Sequence, residues 1–167
     1  TGYTEEHVEP RLAGKLLPAL SSVIVTRPLS EDERRAQGWT SALMAFDSRI
    51  LLHYFRLLPN GRFLFGGRGG TDASDAGGER FRAVLTGAFH DLFPAWRAVE
   101  ITHYWRGFVC LSHDRVPYIG PLDERNSVWT AIAYHGNGVA MGSWSGRAAA
   151  RLAIKKTARE ELPPVLT

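Results

Sequence analysis

Residues 49–67 read RILLHYFRLLPNGRFLFGG, with two runs of aliphatic and aromatic residues on either side of Pro59-Asn60-Gly61. An Asn-Gly pair between two apolar runs is a strong short-range signal for a β-hairpin, because both residues tolerate positive φ angles. The stretch therefore predicts two adjacent antiparallel strands. The fold is therefore expected to contain antiparallel strands.

The chain on either side of this hairpin alternates between strand and helix signals. Towards the N-terminus, residues 1–18 are expected to be loop-like, and SSVIVTRP at 21–28 predicts a strand closed by a proline. The segment 30–38, SEDERRAQG, predicts a short helix, because Ser30 and Glu33 have the spacing of a capping box and Gly38 ends the pattern.

The C-terminal side gives four further elements and no repeated βαβ unit. They are a glycine-rich loop at 66–78, a helix carrying Phe81, Leu85 and Phe89 that ends before Pro94, a long strand at 99–112, and a proline-bracketed loop at 114–123. A strand, a glycine turn and a helix follow over 127–154. This order predicts an α+β fold, a mainly antiparallel sheet with flanking helices.

Composition excludes several classes of protein. The 167 residues suit one globular domain, and the net charge of +3 comes from scattered basic residues, which argues against a nucleic-acid partner. Cys110 is the single cysteine, so a disulfide framework is excluded and a cytoplasmic location is expected. With no apolar run of about 20 residues, no membrane span is expected. The histidines lack the close spacing of metal ligands, so no metal site is expected.

The glycines near the C-terminus have two interpretations. Gly136, Gly138 and Gly142 form G-x-G-x-x-x-G, which is neither the dinucleotide-binding pattern nor a phosphate loop ending in Gly-Lys-Ser/Thr. They are explained by a strand-to-helix turn that needs positive φ. They are equally explained by a helix start whose free N–H groups and dipole face a partial negative charge. By the same reasoning Cys110 is more often a buried apolar residue than a nucleophile.

Four ordered stretches together resemble a known family. They are TGYT at 1–4, LLHYFRLLPNGRFLFGGRG at 51–69, YWRGFVCLSHDRVPYIGPL at 104–122 and AYHGNGVAMGSWSGRAAARLA at 133–153. Together they are similar to the C-terminal part of the FAD-dependent oxidases of the D-amino-acid-oxidase family, in its gamma-glutamylputrescine-oxidase-like branch. The likeness covers nearly the whole chain.

The resemblance implies a division of the chain. It assigns 1–126 to an antiparallel substrate domain, 127–158 to a strand, turn and helix that contact the flavin, and 159–167 to a tail. The N-terminal Rossmann half of such oxidases is not in this sequence. We therefore expect the 167 residues, which begin with Thr1, to be a piece of a longer protein and to be inactive alone.

The resemblance also implies the cofactor contacts. Gly136, Asn137, Gly138 and Val139 match the turn whose backbone N–H groups face the pyrimidine end of the flavin. DRVPYIG matches a segment beside the cofactor, through Asp114, Pro117, Ile119 and Gly120. Asn137 stands where relatives often have a histidine. Cys110 lies about three positions from the register of flavin-attaching cysteines, so FAD is expected to bind noncovalently.

The implied reaction is oxidation of a primary or secondary amine to an imine, with electrons passed to O2 or another acceptor. Val109 replaces the arginine that clamps the carboxylate of α-amino acids in many relatives. An amine therefore fits, as does an amino acid whose carboxylate is held by Arg56, Arg68 or Arg106. His53, Tyr54 and Trp105 are expected to be walls of the substrate pocket. Two alternatives stay open, a non-catalytic binding module with this fold and a flavin-dependent dehydrogenase.

Overall fold

The hairpin is present in the computed structural model, which describes residues 8–123, 125, 128–156, 158 and 161–166. The elements in chain order are β1 (Leu16–Pro28), α1 (Glu31–Gln37), β2 (Ala45–Phe46), β3 (His53–Leu57), β4 (Arg62–Arg68), α2 (Asp75–Leu92), β5 (Ile101–Ser112), β6 (Tyr118–Pro121), β7 (Trp129–Ile132) and α3 (Gly138–Ala153). Short 3₁₀ turns lie at Pro10–Leu12, Pro94–Trp96 and Pro164–Leu166. The TGYT stretch falls outside the described residues.

Five strands form one sheet in the order β2-β3-β4-β1-β5, and β6 pairs with β7 in a second sheet. β4 is antiparallel to both β3 and β1. The predicted α+β class with a mainly antiparallel sheet is confirmed.

The hairpin turn depends on its glycine, Gly61. The Gly61 N–H donates to the Leu58 carbonyl at 3.0 Å, and Gly61 has a φ of 76°. Glycine takes up this left-handed conformation without a Cβ penalty. The predicted first strand is too long, however. β3 begins at His53, since Asp47 accepts the His53 and Arg49 N–H groups and turns the preceding segment away from the sheet.

Described by itself, the unit Leu20–Gly107 is built on an aromatic core. One face of the sheet packs against α2 through buried residues that include Phe63, Phe65, Leu85 and Phe89. The ring centroids of Phe63 and Trp96 are 4.7 Å apart. Aromatic pairs at such distances add to the free energy gained by burial. This core fixes the orientation of β3 and β4, and so decides which of their side chains face the other way.

The second unit comprises Thr1–Ala19 and Phe108–Thr167, of which the structure describes the ranges given above. Here α3 packs on the β6-β7 sheet through Ile119, Ala148 and Leu152. Leu162 and Leu166 join this cluster. The described residues after 160 therefore contribute to a core. The assignment of 1–126, 127–158 and 159–167 to parts of an oxidase remains a prediction.

Three loop predictions are wrong in part. Residues 66–78 were expected to form a loop, but β4 continues to Arg68 and α2 starts at Asp75. Gly78 lies inside that helix at a point where a Cβ would come within 2.9 Å of the guanidinium carbon of Arg106, so a larger residue would displace this side chain.

In the other two predicted loops, part of the chain is a strand that pairs with neighbouring strands. Within 1–18 the strand β1 already begins at Leu16, and within 114–123 the residues Tyr118–Pro121 form β6. β6 exists because it pairs with β7, a partner that no local pattern reveals.

Candidate functional site

The turn between β7 and α3 has an unusual backbone. Ala133, His135 and Gly136 have φ angles of 64°, 54° and 93°. Left-handed conformations cost residues with a Cβ roughly 1–2 kcal/mol each. Two non-glycine residues are held in this conformation within four positions. Turns of this kind bring successive N–H groups to one side and form concave sites for anions.

The start of α3 is open to a ligand. The Asn137 side chain makes no capping hydrogen bond to the helix, and Val139 is fully exposed at 101%. The first N–H groups of any helix lack intrahelical acceptors, and the helix dipole adds about half a positive charge there. The segment 136–139 therefore presents donors and positive potential to a partner outside the chain.

A polar network that we did not predict fixes this turn. Ser112, the last residue of β5, has its Oγ 3.0 Å from His135 Nε2, 2.8 Å from Asp114 Oδ1 and 2.9 Å from the Val116 carbonyl oxygen. The network joins the end of β5, the loop before β6 and the strained residue His135. The sequence contains no spacing signal for it, because Ser112 and His135 meet only through the tertiary fold.

Asp114 is an ionised member of this network. The Val116 N–H and then the Ser112 hydroxyl, both donating to its carboxylate, hold the pKa of Asp114 below its ordinary value, and His135 acts in the same direction. An acceptor at this position orders the loop that leads to Pro117. The predicted residue Asp114 is therefore a support of the turn.

Two of the predicted cofactor residues, Ile119 and Gly120, belong to β6 and are buried. Ile119 pairs with Ala131 of β7 and is fully buried in the cluster under α3. Gly120 is covered by the ring of Tyr118, whose hydroxyl would lie 2.6 Å from a Cβ at Gly120. Ile119 and Gly120 thus support the β7-α3 turn from below.

Cys110 is enclosed in a small apolar cluster. It is 2% exposed and packs with Leu12, Ile132 and Ala133. Burial raises the pKa of its thiol above the ordinary value, which disfavours the reactive thiolate. This environment matches the predicted apolar role of the cysteine. A cavity of about 300 Å³ lies in the same unit. It is lined by Leu12, Lys15, Leu16, Ser112, Tyr118, Pro121, Leu122, Ile132 and Ala133.

In the unit Leu20–Gly107, the five predicted substrate residues divide between the two faces of the sheet. His53 is on the face of the aromatic core, where its ring stacks on Phe65 at 5.0 Å and its Nδ1 lies 2.8 Å from Asp47 Oδ2. Burial alone would raise the pKa of Asp47, but the hydrogen bonds from His53 outweigh it and lower that pKa. His53 is therefore held in place by Asp47 and Phe65.

Arg106 is on the same side as His53 and is fully engaged. Its guanidinium donates to the carbonyl oxygens of Asp72, Ala73 and Ser74 at 3.1, 2.6 and 2.7 Å. These bonds tie β5 to the loop that starts α2. A guanidinium used in this way has few donors left for a substrate.

Tyr54 and Arg56 face the other side of the sheet, because side chains alternate along β3 and Phe55 points into the core. Tyr54 lies over Gly66, where a Cβ would come within 2.2 Å of its ring, and its hydroxyl is 2.9 Å from Ser21 Oγ. Trp105 lies between Tyr104 and Arg106, which both bond to residues near the start of α2. Alternation therefore places Trp105 on the face of Tyr54 and Arg56, three strands away.

Comparison with known proteins identifies the class as the FAD-dependent oxidoreductases. Residues 1–152 match the family described as FAD dependent oxidoreductase (DAO), and the chain belongs to that family. It is 33% identical to gamma-glutamylputrescine oxidoreductase of Escherichia coli over 153 residues, which are 90% of this chain and 34% of that protein. It is 31% identical to the probable oxidoreductase OrdL of Rhizobium meliloti over 93% of this chain and 35% of that protein. The predicted family is confirmed.

Solved structures agree with the fold. Glycine oxidase from Geobacillus kaustophilus superimposes with a TM-score of 0.67 at 20% identity, covering 91% of this chain and 39% of that one. L-proline dehydrogenase from P. horikoshii gives 0.65 at 20% identity, covering 86% and 37%. The chain thus spans about a third of the length of the curated relatives it matches.

Two further findings concern only the described residues. None of their helices is both long and apolar enough to cross a membrane. Within the same ranges no three histidine, cysteine, aspartate or glutamate side chains come together in a way that could hold a metal ion.

Proposed function

We propose that the protein carrying this chain oxidises the C–N bond of a primary or secondary amine, or of an amino acid, to an imine, with noncovalent FAD as cofactor and O2 or another acceptor taking the electrons. The observation that carries the proposal is the start of α3, where Asn137 makes no side-chain cap and Val139 is fully exposed, in a chain of the FAD-dependent family. When bound, the flavin supplies the ring that accepts a hydride.

The residues of the turn fit an electron-rich ring edge. The N–H groups of Gly138 and Val139 would hold a ring carbonyl, and the positive end of α3 would favour negative charge on it. Gly138 leaves room for a close approach, since even a Cβ there would meet nothing nearer than the Tyr134 ring at 3.5 Å. Burial of Cys110 in an apolar cluster supports noncovalent binding.

The chain's own side chains would bind and position the substrate. Tyr54 and Trp105 supply aromatic surface on one face of the sheet, and aromatic rings attract an ammonium group before it loses its proton. Ser112 and His135 would keep the turn in its left-handed conformation. None of these residues has to transfer a proton for C–H oxidation to proceed at the cofactor.

The test uses the natural gene product that contains this chain. We expect the purified protein to show the absorbance of oxidised flavin, and amines or amino acids to bleach it under argon. A gene product that has no flavin and takes up no added FAD would contradict the proposal.

Oxygen consumption compared with dye reduction then distinguishes an oxidase from a dehydrogenase. Rapid reoxidation of the bleached protein in air indicates an oxidase, and reoxidation only by a dye indicates a dehydrogenase.

A further inference from the structure

Arg56 is an arginine with one buried donor atom that has no hydrogen-bond partner among the residues that the structure describes. It lies in β3, and its Nε atom is buried without a hydrogen bond. In the ranges that the structure describes, no carboxylate forms an ion pair with it. Other arginines of the same unit are engaged: Arg27 pairs with Glu33, and Arg80 pairs with Asp72. A buried donor left unsatisfied costs about 1–3 kcal/mol, and more if charged, so its presence needs a reason.

The surroundings of Arg56 increase the strength of its charge. Its cross-strand neighbour on β4 is Leu64, and Leu64 in turn pairs with Val25 of β1. Val25 is buried and Leu64 half-buried. Tyr54 is the next residue of β3 on the same face. An anion brought to this position would meet a guanidinium that apolar neighbours shield from water, where ion pairing is stronger than at an open surface.

The other candidate cations are already committed. Arg106 donates to three carbonyl oxygens, and Arg68 also has an interaction within the chain. Val109 of β5 is apolar, so it offers no charge to a carboxylate. Of the three arginines that the sequence suggested as anchors, Arg56 is the one for which the described residues provide no hydrogen bond or ion pair.

We propose that Arg56 binds the carboxylate of the substrate, so that the preferred substrate is an amine that also carries a carboxylate. This inference rests on the proposed function. The planar guanidinium can bind both carboxylate oxygens at once, which fixes the orientation of the ligand as well as its charge. Arg56 is thereby a specificity-determining residue on the face that also carries Tyr54 and Trp105.

The first experiment compares matched substrates with the natural gene product. Pairs that differ only in the carboxylate, such as 4-aminobutyrate with propylamine and glycine with methylamine, are assayed with wild type, Arg56→Met and Arg56→Lys. For the pair that wild type oxidises best, we expect Arg56→Met to lower kcat/KM of the carboxylated member about 10- to 100-fold, mostly through KM. The plain amine should change less than about twofold.

Arg34→Met is the matched control. Arg34, in α1, is also half-buried with an unpartnered Nε, so it reproduces the loss of such a side chain outside the sheet face. We expect it to leave both members of each pair unchanged. Equal losses for both members in Arg56→Met, or no loss for either, would overturn the proposal. Arg56→Lys should recover part of the discrimination, because charge remains while the planar fork is lost.

The second experiment does not depend on flavin and uses the natural gene product. The Nε–H signal of Arg56 is followed by NMR during addition of sodium acetate, with the Arg34 signal as internal reference. A shift at Arg56 that saturates and exceeds the shift at Arg34 supports the proposal, and equal shifts overturn it. Thermal unfolding adds a structural control: Arg56→Met should melt at or above the wild-type temperature, and a loss of several degrees would show a structural role instead. These results hold even if the gene product proves to lack flavin.

Discussion

Gly136 is the residue of the turn between β7 and α3 whose backbone conformation most requires a glycine. Its φ of 93° is accessible to glycine at little cost, whereas an alanine there is strained. We expect Gly136→Ala to lower the free energy of unfolding of the 167-residue chain by about 1–2 kcal/mol, measured by urea denaturation. Gly87→Ala is the control, because Gly87 lies inside α2 with open space around it. This substitution should raise the free energy of unfolding by about 0.5–1 kcal/mol. Equal effects of the two substitutions would contradict strain at Gly136.

Ser112 allows a second test at the residue scale. Ser112→Ala removes the hydroxyl that lies within hydrogen-bond distance of His135, Asp114 and Val116, and should cost about 1–2 kcal/mol of stability. Amide signals of residues 133–139 should shift in NMR spectra, because His135 loses its contact with the Ser112 hydroxyl and keeps only the longer bond from the Ser112 N–H, at 3.4 Å. Ser112→Thr keeps the hydroxyl and should retain most of both properties. The exposed Ser143 on α3 serves as a neutral alanine control. Unchanged amide signals in Ser112→Ala would show that the network does not position the turn.

At the scale of the element, the Glu33 carboxylate stabilises α1 through two sets of hydrogen bonds. Glu33 accepts from the Ser30 N–H to complete a capping box, and it also pairs with Arg27 through two hydrogen bonds. The Arg27 hydrogen bond, followed by that from Ser30, lowers the pKa of Glu33 from 4.5 to about 2. A carboxyl with a depressed folded-state pKa stabilises the fold above the unfolded value, and this contribution is lost as the pH falls towards the folded value.

Glu33→Gln should therefore reduce stability at neutral pH, and the difference from wild type should shrink between pH 4.5 and about 2. Urea titrations over this pH range measure it. Glu31→Gln is the control, since the exposed pair of Glu31 with Arg35 contributes little, about 0.5 kcal/mol or less. A difference between wild type and Glu33→Gln that stays constant with pH would exclude the ion pair as its cause.

Elements with local signals were predictable from sequence, and elements that depend on distant partners were not. The capping box of Ser30 and Glu33 and the turn at Gly61 use residues a few positions apart, so pattern alone gave both. β6 and the extension of β1 to Leu16 owe their existence to neighbours far along the chain. The site divides in the same way. The glycine turn could be predicted, whereas the contact of Ser112 with His135, and the finding that the His53 face of β3 is the one covered by the aromatic core, required the fold.

At the scale of the whole molecule, the chain spans 34% of the relative in Escherichia coli. The start of α3 is the proposed contact for the flavin ring, and the sequence has no G-x-G-x-x-G turn to hold a pyrophosphate. We therefore expect the 167-residue chain alone to purify without colour, to bind added FAD weakly, and to oxidise no amine. Absorbance after dialysis against FAD and a peroxide assay measure this, with the natural gene product treated identically.

The same samples also test whether the turn between β7 and α3 contacts the flavin. Weak FAD binding should still shift the backbone amide signals of Gly138 and Val139 in the isolated chain, because the first N–H groups of a helix have no intrahelical acceptors and Asn137 does not cap them. Gly136→Ala should reduce those shifts, since it distorts the turn before the helix. Flavin that shifts other residues and leaves Gly138 and Val139 unchanged would refute the assignment of this turn to the cofactor. Amine oxidation by the chain alone would refute its dependence on a second, phosphate-binding half.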